Sequence, residues 1–223
     1  TSRLTAESSE AALVDRSPVE ESKLVERGFP SRAYVGDSKT PFTGVAVDKY
    51  ANEKKKSEAT YKDGKKEGLQ TEWYDSGQKR WEVTFNKYGK HDGPGNSWHE
   101  NGQKMAKKTY KNGKPEGLVT EWHENGQKSS EVTYKDGKEE GLMTRWHENG
   151  QKAEEMTFKD GKPEGLATDW YENGQKKAEA TYKDGKQEGL TTVWYDSGQK
   201  EMERTYKDGK LEGLWTYWHK NGQ

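Results

Sequence analysis

The six-residue string Thr-Tyr-Lys-Asp-Gly-Lys starts at Thr60, Thr133, Thr181 and Thr205, and close variants start at Thr84, Thr109 and Thr157. The spacing is 24 residues, with one 25 where the turn Asn86-Lys87-Tyr88-Gly89 holds an extra residue. A repeat of that length is a single supersecondary unit, which buries its apolar atoms only against its neighbours. The composition agrees with a linear array. Hydrophobic residues make up 27% of 223, Ile is absent, and Leu and Val number ten each, too little for one large compact core. Disorder fits no better. Lys plus Arg (38) balance Asp plus Glu (39), and 25 residues are aromatic, whereas disordered chains are poor in aromatics.

Within a unit the apolar pattern has period two, the signature of strands. Leu69, Thr71 and Trp73 alternate with Gln70, Glu72 and Tyr74; Trp81, Val83 and Phe85 alternate with Arg80, Glu82 and Thr84. Each unit has two turn signals. One is Asp75-Ser76-Gly77, Glu124-Asn125-Gly126 and their equivalents; Asn-Gly reads as the tight hairpin turn. The other, Lys-Asp-Gly-Lys-x-Glu-Gly as at 62–68, reads as longer and glycine-anchored. The glycines exclude helices. The prediction is all-β: an elongated, single-layer antiparallel β-meander of about seven to eight 24-residue hairpin repeats, a twisted ribbon of about 15–16 strands of roughly 6–7 residues each. The array is assigned to 34–223. A degenerate first repeat occupies 34–59, because Gly44 to Thr60 has the length of Gly68 to Thr84. Residues 1–33 are an N-terminal arm or linker, in which Ser17-Pro18-Val19-Glu20 with Gly28 as a stop fits either a short helix or an extended arm.

Two aromatic columns run down the array: Trp73, Trp98, Trp122, Trp146, Trp170, Trp194 and Trp218, and Tyr61, Phe85, Tyr110, Tyr134, Phe158, Tyr182 and Tyr206. Cross-strand ring contacts are expected to prop up the sheet. Two registers are open. A two-residue turn at Ser76-Gly77 places the columns on opposite faces, and a three-residue loop with a glycine bulge places them on one. The scarcity of apolar atoms favours one face.

The unit Tyr-Lys-Asp-Gly-Lys-x-Glu-Gly followed by Trp-His/Tyr-Glu-Asn-Gly-Gln-Lys resembles the variant MORN repeat, of which bacterial proteins of the YwqK antitoxin type are built. Tyr134, Asp136-Gly137 and Gly141 match its aromatic, turn and glycine positions, and Pro41-Phe42-Thr43-Gly44 resembles the entry segment of such arrays. The resemblance implies a non-enzymatic protein-binding module, in some members an antitoxin, and implies no catalytic residues or cofactor.

The chemistry-bearing residues are read as structural. His99, His123, His147 and His219 share a column with Tyr74, Tyr171 and Tyr195. Equivalents two strands apart are roughly 9–10 Å from each other, too far to share a zinc ion whose nitrogens sit about 2.0–2.1 Å away. The Glu column (Glu58, Glu82, Glu131, Glu155, Glu179, Glu203, interrupted by Lys107) reads as a charge ladder against lysines. Catalysis needs one asymmetric constellation in a concave pocket, and no pocket is expected. No apolar run approaches the roughly 18 residues of a membrane span. The balanced charge gives no footprint for nucleic acid or an anionic membrane surface.

The expected function is a non-catalytic scaffold that binds a protein partner through a face or an edge strand. The alternative is a structural subunit assembling head to tail into a surface filament by β-augmentation, through Leu214-Trp215-Thr216-Tyr217-Trp218 as an open edge. Interface candidates are Leu214, Trp215, Tyr217, Trp218 and the off-column Trp81. The partner is a protein or further copies of the chain. The expected location is the cell envelope or outside the cell, or the cytoplasm for an antitoxin.

Overall fold

The computed structural model describes residues 17–27 and 32–221. Nineteen of its 21 strands form one sheet. From Gly44–Lys49 to Lys210–Tyr217 each strand pairs antiparallel with the next in sequence. The two-residue pieces Lys114–Pro115, Lys162–Pro163 and Lys186–Gln187 open the strands that follow them. Joined to those strands, they leave fifteen in the meander. The all-β hairpin array is therefore what forms, with strands of up to nine residues.

The Asp-Gly turn is tighter than expected, and the Asn-Gly turn takes the three-residue form of the two left open. The tight two-residue turn is Asp-Gly: Lys135 pairs with Lys138, and Asp136 and Gly137 have φ of 52° and 83°, the positive pair that a type I′ turn requires. The Asn-Gly turn is a three-residue loop. His123 N–H donates to the Gln127 carbonyl and Gly126 N–H donates to the His123 carbonyl, both at 2.9 Å. Gly126, at φ 82°, closes the loop as a glycine bulge.

One more irregularity decides the faces. Trp122 pairs with Lys128, but Glu121 pairs with Ser130, so Ser129 is an extra residue. Gly117, Val119 and Glu121 then lie opposite Tyr134, Val132 and Ser130 on one side, here the tyrosine face. Leu118, Thr120 and Trp122 lie opposite Thr133, Glu131 and Lys128 on the other, the tryptophan face. The columns thus occupy opposite faces, which overturns the one-face expectation. The physical reason is lysine. Lys55, Lys79, Lys128, Lys152, Lys176 and Lys200 each place Nζ 5.5–5.9 Å from the ring centre of the next unit's Trp. Their aliphatic stems supply the apolar cover, and their charge attracts the ring face. Each also ion-pairs with the Glu three residues on. The expected ring-on-ring contacts are confined, among the described residues, to Phe42–Tyr61, Phe85–His91, His91–Tyr110 and Trp215–Tyr217.

The second unit, where Pro94-Gly95-Asn96 replaces the Leu-x-Thr strand start of its neighbours, keeps its pairing with the following strand, from Gly93 opposite Tyr110 to Ser97 opposite Ala106. At the N-terminal side the extended alternative is the one that forms at Val19–Glu20, which pairs parallel with Ala46 and Val47 at the sheet edge. A 3-10 turn, Glu21–Lys23, leads into the hairpin Leu24–Arg27/Arg32–Val35. Gly28 lies outside the described residues. This hairpin covers the tyrosine face of the first unit. Ala33, Ala46, Ala59 and Tyr61 are buried together, with Leu24 and Phe42 packed on them. Ala33 N–H donates to the Gly64 carbonyl at 2.8 Å. The Glu21 carboxylate accepts from Ser57 Oγ and Tyr61 Oη. Burial, then Glu21, push the Tyr61 phenol well above the usual tyrosine range.

Candidate functional site: a face of diverging residues

The residues that stay constant from unit to unit have structural work. The ring that follows the Trp position (Lys49 in the first unit) reaches the next unit: Tyr50, Tyr74, Tyr171 and Tyr195 donate Oη–H to the carbonyls of Trp73, Trp98, Trp194 and Trp218 at 2.6–2.9 Å. His99, His123 and His147 place Nε2 2.8–2.9 Å from the carbonyls of Trp122, Trp146 and Trp170. A carbonyl only accepts, so Nε2 carries the proton. His and Tyr interchange because each is a flat ring with a donor at its tip. The Asn of each Asn-Gly turn donates Nδ2–H to the next turn's carbonyl, as Asn125 does to Glu148 at 2.7 Å. On the other edge, Glu116, Glu140, Glu164 and Glu188 accept the N–H of Asp136, Asp160, Asp184 and Asp208 at 2.8–2.9 Å. These bonds explain the Lys-x-Glu-Gly signature, which the sequence alone left as a turn with a charge.

The tyrosine face behaves differently. With the register known, five of its positions can be compared over the six units from Lys65 to Gly209. The position beside the ring holds Lys66, His91, Pro115, Glu139, Pro163 and Gln187. The mid-strand position holds Gln70, Gly95, Val119, Met143, Ala167 and Thr191, and its partner holds Val83, Lys108, Val132, Met156, Ala180 and Arg204. The outer pair holds Glu72, Ser97, Glu121, Arg145, Asp169 and Val193 against Trp81, Ala106, Ser130, Glu154, Ala178 and Met202. Each of the five positions carries five or six residue types. On the tryptophan face, the Leu, Thr, Trp, Lys and Glu positions are broken in these six units only in the second, by Pro94, Asn96 and Lys107.

The diverging face is not flat, contrary to the expectation of a ribbon without pockets. A groove of about 360 Å³ is lined by Tyr110, Val119, Val132, Tyr134, Met143 and Arg145 among others. Beside it lies a notch of about 270 Å³ between Trp81, Val83, His91, Ala106 and Tyr110, floored by Gly95. Lys108, ion-paired with Glu121 at 3.0 Å, borders both. The notch exists because Gly95 has no side chain; a Cβ there would stand 2.8 Å from Tyr110 Cε2. Trp81 is held by its indole N–H, which donates to Glu72 Oε2 at 2.6 Å. Further along the same face, burial and then Glu154 raise the Asp169 carboxyl above its usual range.

The sequence-predicted interface residues divide between locations. Trp81 and the edge-strand pair Trp215 and Tyr217 project from the tyrosine face, whereas Leu214 and Trp218 belong to the tryptophan face. All eight residues of Lys210–Tyr217 are exposed, Leu214 at 93%. The placing of Gly95 beside Trp81 across the sheet depends on the register, which the sequence does not announce. Among the described residues no group of three or more His, Cys, Asp or Glu is placed to hold a metal ion. Nor is any helix among them long and apolar enough to cross a membrane.

No curated protein matches the chain. The MORN repeat variant matches at residues 92–112, 115–136, 139–160, 163–184 and 187–208. Each segment holds the Trp strand, the bulged loop and the returning strand described above and ends on the first residue of a tight Asn-Gly or Asp-Gly turn, and the five tandem segments match that family's repeat.

Proposed function

We propose that the array is a non-catalytic scaffold that binds a protein partner on its tyrosine face. The observation that carries this reading is the confinement of divergence to one side of the sheet. Residues needed only to hold neighbouring units together have no reason to vary, and outside the second unit they change only between His and Tyr at the tying ring and between Asn and Ser in the loop. A surface contacting a non-repetitive partner must differ from unit to unit, because each unit meets different atoms. The groove and notch on that face supply concave, part-apolar relief, which anchoring side chains require. The Trp rings are less suited to stacking a ligand, because lysines lie over them. A toxin neutralised by occlusion is one kind of partner such a face fits.

The test is a photo-cross-linking residue placed at the solvent-accessible Arg145 or Asp169 on the tyrosine face, and at Leu142 or Leu166 on the other, in the cells that make the protein. The proposal expects adducts to one protein species from the first pair only. Adducts from neither pair, or equally from both, would overturn it.

A further inference from the structure

Resting on that reading, we infer that the tyrosine face of residues 162–185 is a seat for a β-hairpin of the partner protein, of the kind the chain lays on its own degenerate first repeat. The first repeat shows what such a face holds. Its tyrosine-face pairs are Gly44–Tyr61, Ala46–Ala59 and Asp48–Ser57. The hairpin Leu24–Arg27/Arg32–Val35 packs over them with Leu24 and Ala33. The Phe42 ring lies 5.7 Å from that of Tyr61 and covers Gly44, where an added Cβ would stand 3.1 Å from it.

Residues 162–185 repeat this face as Gly165–Tyr182, Ala167–Ala180 and Asp169–Ala178. The glycine and the ring are common to every unit, but the two alanines and the aspartate are not. Among the six units compared above, Ala at the mid-strand position, Ala as its partner and Asp at the outer position each occur once, all three here. The bulge residue agrees as well: Lys56, ion-paired with Asp48 at 3.2 Å, recurs as Lys177.

One seat is covered and the other is open. Ala46 and Ala59 are 0% and 1% exposed under the hairpin, against 6% and 8% for Ala167 and Ala180. Tyr61 is buried, and Tyr182 only half-buried. A Cβ on Gly165 would meet nothing within 4 Å, and Pro163 stands where the first repeat has Phe42. Ala33 N–H donates to the Gly64 carbonyl at 2.8 Å, whereas the equivalent carbonyl of Gly185 has no such donor among the described residues.

These differences state the chemistry of the occupant. It supplies a ring over Gly165 beside Tyr182, a small apolar residue over the alanines, and a backbone N–H for the Gly185 carbonyl. In the first repeat the Glu21 carboxylate lies against Ser57, Tyr61 and Lys66. Their counterparts are Ala178, Tyr182 and Gln187. The cation is gone, so the occupant brings a neutral acceptor, because covering an unpaired carboxylate is costly. A second copy fits less well. Its hairpin is held on its own first repeat by Glu21 and by the edge pairing of Val19–Glu20 with Ala46 and Val47, an edge that does not exist at 162–185, where Thr168 pairs with Glu155.

The probe is a fluorescein-labelled peptide of residues 18–43 carrying Glu21→Gln, titrated by anisotropy against the full chain, whose own segment keeps the first seat filled. Saturable binding is expected, weakened at least tenfold by Ala180→Arg and less than twofold by Val132→Arg. Arg204 stands at the same position one unit on, so the strand tolerates arginine there. A second measurement does not need the peptide to fold alone. Ala59→Arg should expel the hairpin from its own seat. Its tether, residues 36–43, spans at most about 29 Å, and the second seat is five units away, about 48 Å, so the expelled hairpin reaches only another chain. Light scattering should then show oligomers that adding Ala180→Arg abolishes. A response to Ala180→Arg in either measurement supports the seat. If it changes neither, or if Val132→Arg weakens the peptide equally, the inference is overturned. Oligomers of the parent chain that Ala180→Arg dissolves would give the seat to a second copy and overturn the partner hairpin. Cross-links from Arg145 or Asp169 alongside indifference to Ala180→Arg would sink this inference alone; absence of those cross-links would sink the scaffold reading itself.

Discussion

Replacing His123 by Phe tests how the units are tied together. His123 Nε2 lies 2.8 Å from the Trp146 carbonyl, 23 residues away. Phe keeps the ring but removes the donor. A hydrogen bond of this kind contributes about 0.5–1.5 kcal/mol net, and the site is half-buried, so water recovers part of it; about 1 kcal/mol is the expected loss. For a chain of this length that is a fall in Tm of about 2–4 °C. Repeat arrays distribute stability by nearest-neighbour contacts, so hydrogen exchange should accelerate most at the amides around Trp122 and Trp146. His123→Tyr should sit within about 0.5 kcal/mol of the parent, because Tyr171 makes the same bond to Trp194 at 2.8 Å. If Phe is harmless, or Tyr is as damaging as Phe, the ring tips do not tie the units and the column is held for another reason.

Three further outcomes follow from the same geometry. Glu164→Ala removes the acceptor of the Asp184 N–H and should cost on the order of 1 kcal/mol in denaturant melts, with Glu164→Gln recovering much of it. Gly126→Ala and Gly141→Ala both force a side chain to positive φ, at roughly 1–2 kcal/mol. Gly126→Ala should be the worse of the two, since its Cβ would also meet Gln103 Oε1 while Gly141 faces open space. Asp169→Asn should stabilise slightly at pH 7, by a fraction of a kcal/mol after solvent screening. The raised carboxyl pKa means that the folded chain holds its proton to higher pH than the unfolded one. Stability is therefore lost as pH rises through the carboxylate range, and the benefit of Asn should vanish in melts below that range.

Fold class was legible because its determinants are local and repeated: period-two alternation, two glycine turns per unit and a fixed spacing. The face assignment was not, because it turns on one bulge. The extra residue at Ser129, like Arg80 in the first full unit, has no glycine or proline to announce it, yet it decides which residues share a side. The role of lysine was hidden for a related reason. Lys128 looked like a solvated charge until the register placed its stem against the next Trp. The divergence of one face is written in the sequence, but its columns can be grouped only after the pairing is known.

The ring-to-carbonyl and turn-to-turn bonds have the same donor and acceptor at nearly every junction, and neither group belongs to the diverging face. Excising or duplicating 24 residues between two matched turns would therefore rejoin equivalent partners. The length of such a protein is a quantity that recombination can adjust freely, while each such exchange would rewrite the order of residues on its variable side.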